Sequence, residues 1–89
     1  MKTFRLSTHK IEHVILRDWL VEQRKNADMT QRQLAEKLET VHSLVGKVEK
    51  GERRLDVIEF YTYCNALNTD PNEFFKYLEK KMNFQKMLK

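Results

Sequence analysis

Apolar residues recur at intervals of three and four along most of the chain, a spacing typical of amphipathic α-helices. Five helices are predicted, over about 10–25, 30–38, 41–50, 56–67 and 71–88. No low-complexity tract or Pro/Gly-rich linker interrupts them. The 89 residues are therefore predicted to form one compact all-α domain, with an N-terminal extension over 1–9, a core over about 10–70 and a C-terminal helix over about 71–88.

Polar side chains at three of the predicted helix starts are suited to cap exposed backbone N–H groups. In a capping box, Ser, Thr or Asp at the cap is followed three residues later by Glu or Gln. Two such boxes are present, together with one cap that precedes a proline: Thr30 with Gln33, Asp56 with Glu59, and Asp70 before Pro71. These signals predict where the second, fourth and fifth helices begin.

The second and third predicted helices are separated only by Glu39 and Thr40. Gly51 follows the third helix, where a residue in the left-handed conformation would end it. Two short helices joined by a tight turn form a helix-turn-helix, a motif whose second helix reads the major groove of duplex DNA. The pattern thus predicts a nucleic-acid interface in this half of the chain.

A wider set of residues, within about 16–75, shares the spacing of one protein family: Leu20, Arg24, Ala27 to Gln31, Leu34, Ala35, Val45, Val48, Glu49, Gly51, Leu67 and Asn68. This set resembles the lambda-repressor-like helix-turn-helix domain of phage repressors, Cro-type proteins and XRE-type regulators. The overall size and the single appended helix are also similar, more loosely, to controller proteins of restriction-modification systems.

The resemblance implies roles for residues on both sides of the turn. Arg24 and Glu49 would form a partly buried ion pair between the first and third helices, and Gln31 would brace the recognition helix while touching a phosphate. The implied base contacts are His42, Ser43, Gly46 and Lys47. The implied phosphate contacts are Thr30, Gln31, Lys50, Arg53 and Arg54. Two interpretations of His42 are open. It is either a partly exposed structural residue, or its ring contacts a base edge or a phosphate.

Several positions depart from the family pattern. Glu39 occupies a turn position where the family has Gly, and Val41 a position where it has Ser or Thr, so either the turn is remodelled or Thr40 is the cap. Leu44 replaces a polar residue and would face either a thymine methyl group or a protein. Asp28 replaces a Gly and is expected to adopt the left-handed conformation, which Asp tolerates better than most residues.

The fourth and fifth helices carry apolar residues on broad faces. The fourth is expected to bury Val57, Phe60, Tyr61, Cys64 and Leu67. The fifth has more apolar perimeter than one neighbouring helix can cover. We therefore expect a homodimer interface on the fifth helix, formed by Phe74, Phe75, Leu78 and Met82.

Composition limits which partners, disulfides and cofactors the protein can have. The formal net charge of +4 suits an anionic partner such as double-stranded DNA. Cys64 is the single cysteine, which excludes an internal disulfide and favours an inert core position. His9 and His13 are four residues apart but lack an evident third ligand, so neither a metal nor another cofactor is expected.

Catalysis and membrane insertion are not expected either. Nothing in the sequence resembles a nucleophile with its base, so the protein is not predicted to be an enzyme. No stretch approaches the roughly 20 apolar residues of a membrane span, which favours a cytoplasmic protein, bound to a prokaryotic nucleoid or encoded by a phage. We therefore predict a homodimeric transcriptional regulator on a palindromic operator. The alternative is an antitoxin-like or adaptor module whose Leu44 and Val41 meet a protein partner.

Overall fold

The computed structural model of the chain describes residues 10–87, which fold into five α-helices. Their bounds are α1 Ile11–Asn26, α2 Gln31–Lys37, α3 His42–Lys50, α4 Val57–Ala66 and α5 Pro71–Met87. The predicted all-α architecture is confirmed. The predicted N-terminal extension, His9 with it, and Leu88 lie outside the described residues. Within the described part, no helix is long and apolar enough to cross a bilayer.

The capping residues act at three helix starts as predicted. Thr30 Oγ1 accepts from the Gln33 backbone N–H at 3.1 Å, and Gln33 Oε1 accepts from the Thr30 N–H at 2.9 Å. The equivalent distances for Asp56 and Glu59 are 2.7 Å and 2.9 Å. Asp70 Oδ1 accepts from a backbone N–H in the first turn of α5 at 2.9 Å. Each cap satisfies a donor that has no partner within its helix.

Residues in the left-handed conformation close three of the turns. Asp28 has a φ of 56°, as expected, and Asn68 has a φ of 57° before α5. In the helix-turn-helix, Glu39 has a φ of 56°, so the turn keeps the backbone shape for which glycine is best suited. Val41, whose apolar side chain cannot cap, is the residue that precedes α3, and Thr40 is therefore not its cap.

The core is built by all five helices. Trp19 of α1 contacts Phe60 of α4 and Phe74 of α5, with ring centroids 6.4 Å and 5.3 Å apart. The buried apolar side chains are Ile15, Trp19, Leu20, Leu34, Ala35, Val45, Val48, Phe60, Tyr63, Cys64, Leu67 and Phe74. Burial raises the pKa of the Cys64 thiol to about 11, which keeps it protonated and inert at neutral pH.

The predicted inward face of α4 is partly wrong. Val57 and Tyr61 were expected in the core, but their side chains are 72% and 55% exposed. Tyr63 is buried instead, within electrostatic reach of Arg24 on α1 and Glu49 on α3. The apolar residues of α4 form two overlapping stripes at helical spacing, and the packing of α4 against the rest of the core selects the stripe that contains Tyr63.

The predicted dimer interface on α5 also needs correction. Phe74 is 5% exposed and lies against Trp19 and Phe60 of the same chain, so it belongs to the monomer core. Leu78 and Met82 are half-buried against that core. Of the four residues that we expected to contact a partner, Phe75 is the one that stands largely exposed, at 52%. Phe74, Leu78 and Met82 are covered within the monomer because α1 and α4 both pack on α5, whereas the prediction allowed for one neighbouring helix.

Candidate nucleic-acid interface

Helix α3, the predicted recognition helix, is anchored by one face and presents the other to solvent. Val45 and Val48 are buried in the core, and Leu44 is half-buried against it. Leu44 therefore packs mainly on its own chain, although it also borders grooves at the surface. An apolar stripe of this kind fixes the rotation of the helix about its axis, which determines the side chains that point outward.

The four residues proposed to read bases share the outward side of α3. His42, Ser43 and Lys47 are exposed, and Gly46 is half-buried beside them. Lys50, one turn beyond Gly46, is exposed at the same side. The structure thus brings these residues together on one polar surface. Their contacts with DNA remain predictions.

An ion pair between α1 and α3 holds this surface in place. Arg24 Nε donates to Glu49 Oε2 at 2.6 Å, and Arg24 Nη2 donates to Glu49 Oε1 at 3.1 Å. Both side chains are largely buried, with 12% and 7% exposed. The Arg24 guanidinium also donates to the Met29 carbonyl oxygen at 2.7 Å, so it fixes the loop that leads into α2. The hydrogen bonds to Glu49 raise the pKa of Arg24 further.

Gln31 adds α2 to the same network. Its Nε2 donates to Glu49 Oε1 at 2.8 Å, so a single carboxylate on α3 accepts hydrogen bonds from α1 and from α2. On the other side of the amide, Gln31 Oε1 lies 3.6 Å from the position of a Cβ added to Gly46. The bracing role implied for Gln31 is therefore visible in the geometry.

The remaining basic residues follow α3. Arg54 is exposed, but Arg53 is occupied: its Nη2 and Nη1 donate to Glu59 at 2.7 Å and 3.1 Å, and Nη1 also donates to the Arg54 carbonyl oxygen at 2.7 Å. The hydrogen bond from Arg53 lowers the pKa of Glu59 to about 2. This guanidinium fixes the loop to the start of α4, a role that the sequence interpretation did not foresee.

Arg17 on α1 is a further residue that the sequence interpretation missed. Gly51 ends α3 with a φ of 79°, and a Cβ at this position would lie 2.7 Å from the Arg17 guanidinium carbon. A cation beside the C-terminal end of a helix is favoured by the helix dipole. The available signal was that Arg17 and Arg24 are seven residues apart, which places them on one face of α1.

Thr30 uses its Oγ1 as the cap of α2, while its hydroxyl proton can still donate to an external acceptor. For metal ions, residues 10–87 contain no group of three or more His, Cys, Asp or Glu side chains in a suitable arrangement. The candidate interface is therefore the polar outward face of α3, with the exposed basic side chains of Lys47, Lys50 and Arg54.

Comparison with known proteins supports this description. The chain matches the helix-turn-helix family model HTH_3 over residues 20–74. A solved structure of an XRE-family like protein from Pseudomonas syringae pv. tomato is 42% identical with a TM-score of 0.77, and the match covers 82% of this chain and 89% of that one. A comparison with curated protein sequences gave no significant match.

Two further structures are similar. The restriction-modification controller protein C.AhdI from Aeromonas hydrophila is 30% identical with a TM-score of 0.59, over 68% of this chain and 86% of that chain. The clp gene regulator ClgR from Corynebacterium glutamicum shares the fold, with a TM-score of 0.72 at 19% identity, over 83% and 96% of the two chains. The family match and the two relatives with 42% and 30% identity show that this chain belongs to the XRE-type helix-turn-helix family.

Proposed function

We propose that this chain is a transcriptional regulator that binds double-stranded DNA as a homodimer, with α3 in the major groove of an approximately palindromic operator. The observation that carries the proposal is the outward face of α3, where His42, Ser43 and Lys47 are exposed on a helix locked from behind. Exposed polar side chains on a rigid helix are what base recognition requires, because a loosely held helix would lose ordering entropy on binding.

The proposal divides the interface into two kinds of contact. His42, Ser43 and Lys47 test base edges, while Lys50 and Arg54 hold phosphates and set the register. Thr30 contributes its hydroxyl proton to a phosphate oxygen. Arg53 acts indirectly, because its guanidinium is committed to Glu59 and orients the basic loop.

A second copy of the chain is proposed on the side of α4 and α5. Exposed apolar residues of these helices support this placement: Val57 at 72%, Ile58 at 69%, Tyr61 at 55% and Phe75 at 52% exposure. Phe75 is in ring contact with the buried Phe60, so it extends the core to the surface. In a two-fold dimer, the two α3 helices would read half-sites roughly 34 Å apart.

Selection of genomic fragments with the purified protein, followed by sequencing, tests the proposal and supplies the operator. On that operator, Lys47→Ala should weaken binding by about 1 to 3 kcal/mol and relax preference at one position of each half-site. Arg54→Ala should weaken all duplexes alike and reduce the salt slope by about one unit. Lys80→Ala, which removes an equal charge from the exposed surface of α5, is the matched control and should change neither.

Sedimentation tests the dimer separately. The wild type should be a dimer at micromolar concentration, and Phe75→Glu should shift it towards monomer because a charge would enter an apolar contact. A wild-type monomer at high concentration would refute the dimer.

The alternative of a protein-interaction module depended on Leu44 and Val41, and the half-buried state of Leu44 leaves Val41, 66% exposed, as its main support. Failure to bind any duplex would favour that alternative.

A further inference from the structure

We infer that Gln31 is a base-reading residue: its side-chain carbonyl oxygen accepts a hydrogen bond from the amino group of an adenine or cytosine that packs against Gly46. This inference rests on the proposed binding of α3 to duplex DNA. It differs from the phosphate role implied by the family resemblance, and it places part of the base recognition on α2.

The first step is the orientation of the amide. Glu49 forms an ion pair with Arg24, which donates two hydrogen bonds to it, and a carboxylate in an ion pair can only accept. Gln31 must therefore turn its NH₂ group towards Glu49, and Gln31 Nε2 donates to Glu49 Oε1 at 2.8 Å. The two ends of the amide are thus distinguished by chemistry, and Gln31 Oε1 has to point away from the carboxylate.

The second step is the position of that oxygen. Gln31 Oε1 lies beside Gly46, 3.6 Å from where a Cβ would stand. Gly46 lies on the outward side of α3, one turn after the exposed His42 and Ser43. Because Gly46 has no side chain, nothing on α3 at this position stands between the acceptor and a group that approaches the helix. A larger residue here would cover it.

The third step is the chemistry of the ligand. A lone acceptor binds a donor, whereas phosphate oxygens are acceptors and bind elsewhere. In the major groove, the base-edge donors are the N6 amino group of adenine and the N4 amino group of cytosine. If the acceptor beside Gly46 meets the edge of a base, it therefore selects one of these two bases. The second hydrogen of Gln31 Nε2 can still donate, so a phosphate contact is the competing outcome of the test.

The experiment removes the amino group from the DNA and the acceptor from the protein. In the selected operator, each adenine is replaced in turn by purine and each cytosine by 2-pyrimidinone, which lack these amino groups. At one position in each half-site, the change should weaken binding of the wild type about tenfold, in line with loss of a base contact. For Gln31→Met, which keeps the side-chain length without the carbonyl, the same change should have no further effect.

Two controls keep the outcomes separate. Thermal unfolding of Gln31→Met shows whether loss of the bond to Glu49 has disturbed the fold, and its salt slope should equal that of the wild type. Equal weakening on every duplex with a salt slope reduced by about one unit would overturn the inference in favour of a phosphate contact. Wild-type binding that is insensitive at every substituted position would overturn it as well. A wild type that binds no duplex would instead refute the proposed function.

Discussion

Replacement of Gly46 by alanine should stabilise the protein and weaken its binding to DNA. A glycine inside a helix costs roughly 0.5 to 1 kcal/mol relative to alanine because it loses more backbone entropy on folding. The backbone at Gly46 is helical, and an added Cβ would meet only Gln31 Oε1, at the ordinary contact distance of 3.6 Å. The folded chain therefore accommodates the methyl group, and we expect a gain of about 0.5 to 1 kcal/mol in the free energy of unfolding.

The same methyl group would stand between α3 and the DNA. Overfilling of a closely packed contact costs about 1 to 3 kcal/mol, which is roughly a 5- to 150-fold increase in Kd. The two effects have opposite signs. A general disturbance of the fold would instead lower stability and affinity together, so the combination identifies a steric contact with the ligand.

Urea unfolding followed by circular dichroism measures the first effect, and titration of the operator by fluorescence anisotropy measures the second. Asn26→Ala is a suitable control, because it also replaces a poorer helix former by alanine at an exposed helical position, but on α1. This control should be stabilised without a change in affinity. A Gly46→Ala variant that binds the operator as tightly as the wild type would refute the close approach of DNA at this position. A less stable variant would refute the packing argument.

Three other predictions concern charged residues. Arg24→Ala and Glu49→Ala should each lower the free energy of unfolding by about 3 to 5 kcal/mol, because each leaves its partner's charge buried; unchanged denaturation midpoints would contradict this. Glu39→Gly should raise the free energy of unfolding by about 1 kcal/mol, since it relieves a left-handed conformation, and thermal melting that shows a decrease would count against the strain. The pKa of Glu59 is lowered from 4.5 to about 2 by Arg53, so the stability from this pair is present above pH 4.5 and is lost as the pH falls towards 2. Glu59→Gln should flatten that part of the pH profile, by no more than about 1 kcal/mol because the pair is partly exposed, and a profile identical to the wild type would exclude the pair as its source.

Local signals in the sequence predicted the helix starts well. A capping box such as Thr30 with Gln33 is decided by residues three positions apart, so it can be identified without knowledge of the neighbouring helices. The same holds for Gly51 and Asp28, whose backbone conformations follow from the residue type and the turn. The family spacing of Arg24 and Glu49 likewise placed an ion pair between two helices that are distant in sequence.

Features that depend on the packing of several helices were harder to predict. On α4, periodicity is compatible with either Tyr61 or Tyr63 facing inward, and only the positions of the neighbouring helices decide between them. The burial of Phe74 cannot be predicted from the pattern of α5 alone, because it requires Trp19 on another helix. For the candidate site, the hydrogen bonds from Arg53 to Glu59 could not be foreseen, because the two residues lie across a loop, where no periodic pattern links them.

The aromatic contacts of Trp19 give this protein an internal optical reporter. Trp19 is the single tryptophan of the chain, 4% exposed, and its ring is packed with Phe60 and Phe74. Its emission therefore records whether α1, α4 and α5 are docked together. None of these three rings belongs to the outward face of α3, so the tryptophan signal follows unfolding while a dye on the DNA follows binding. Both equilibria can then be observed in one cuvette without a label on the protein.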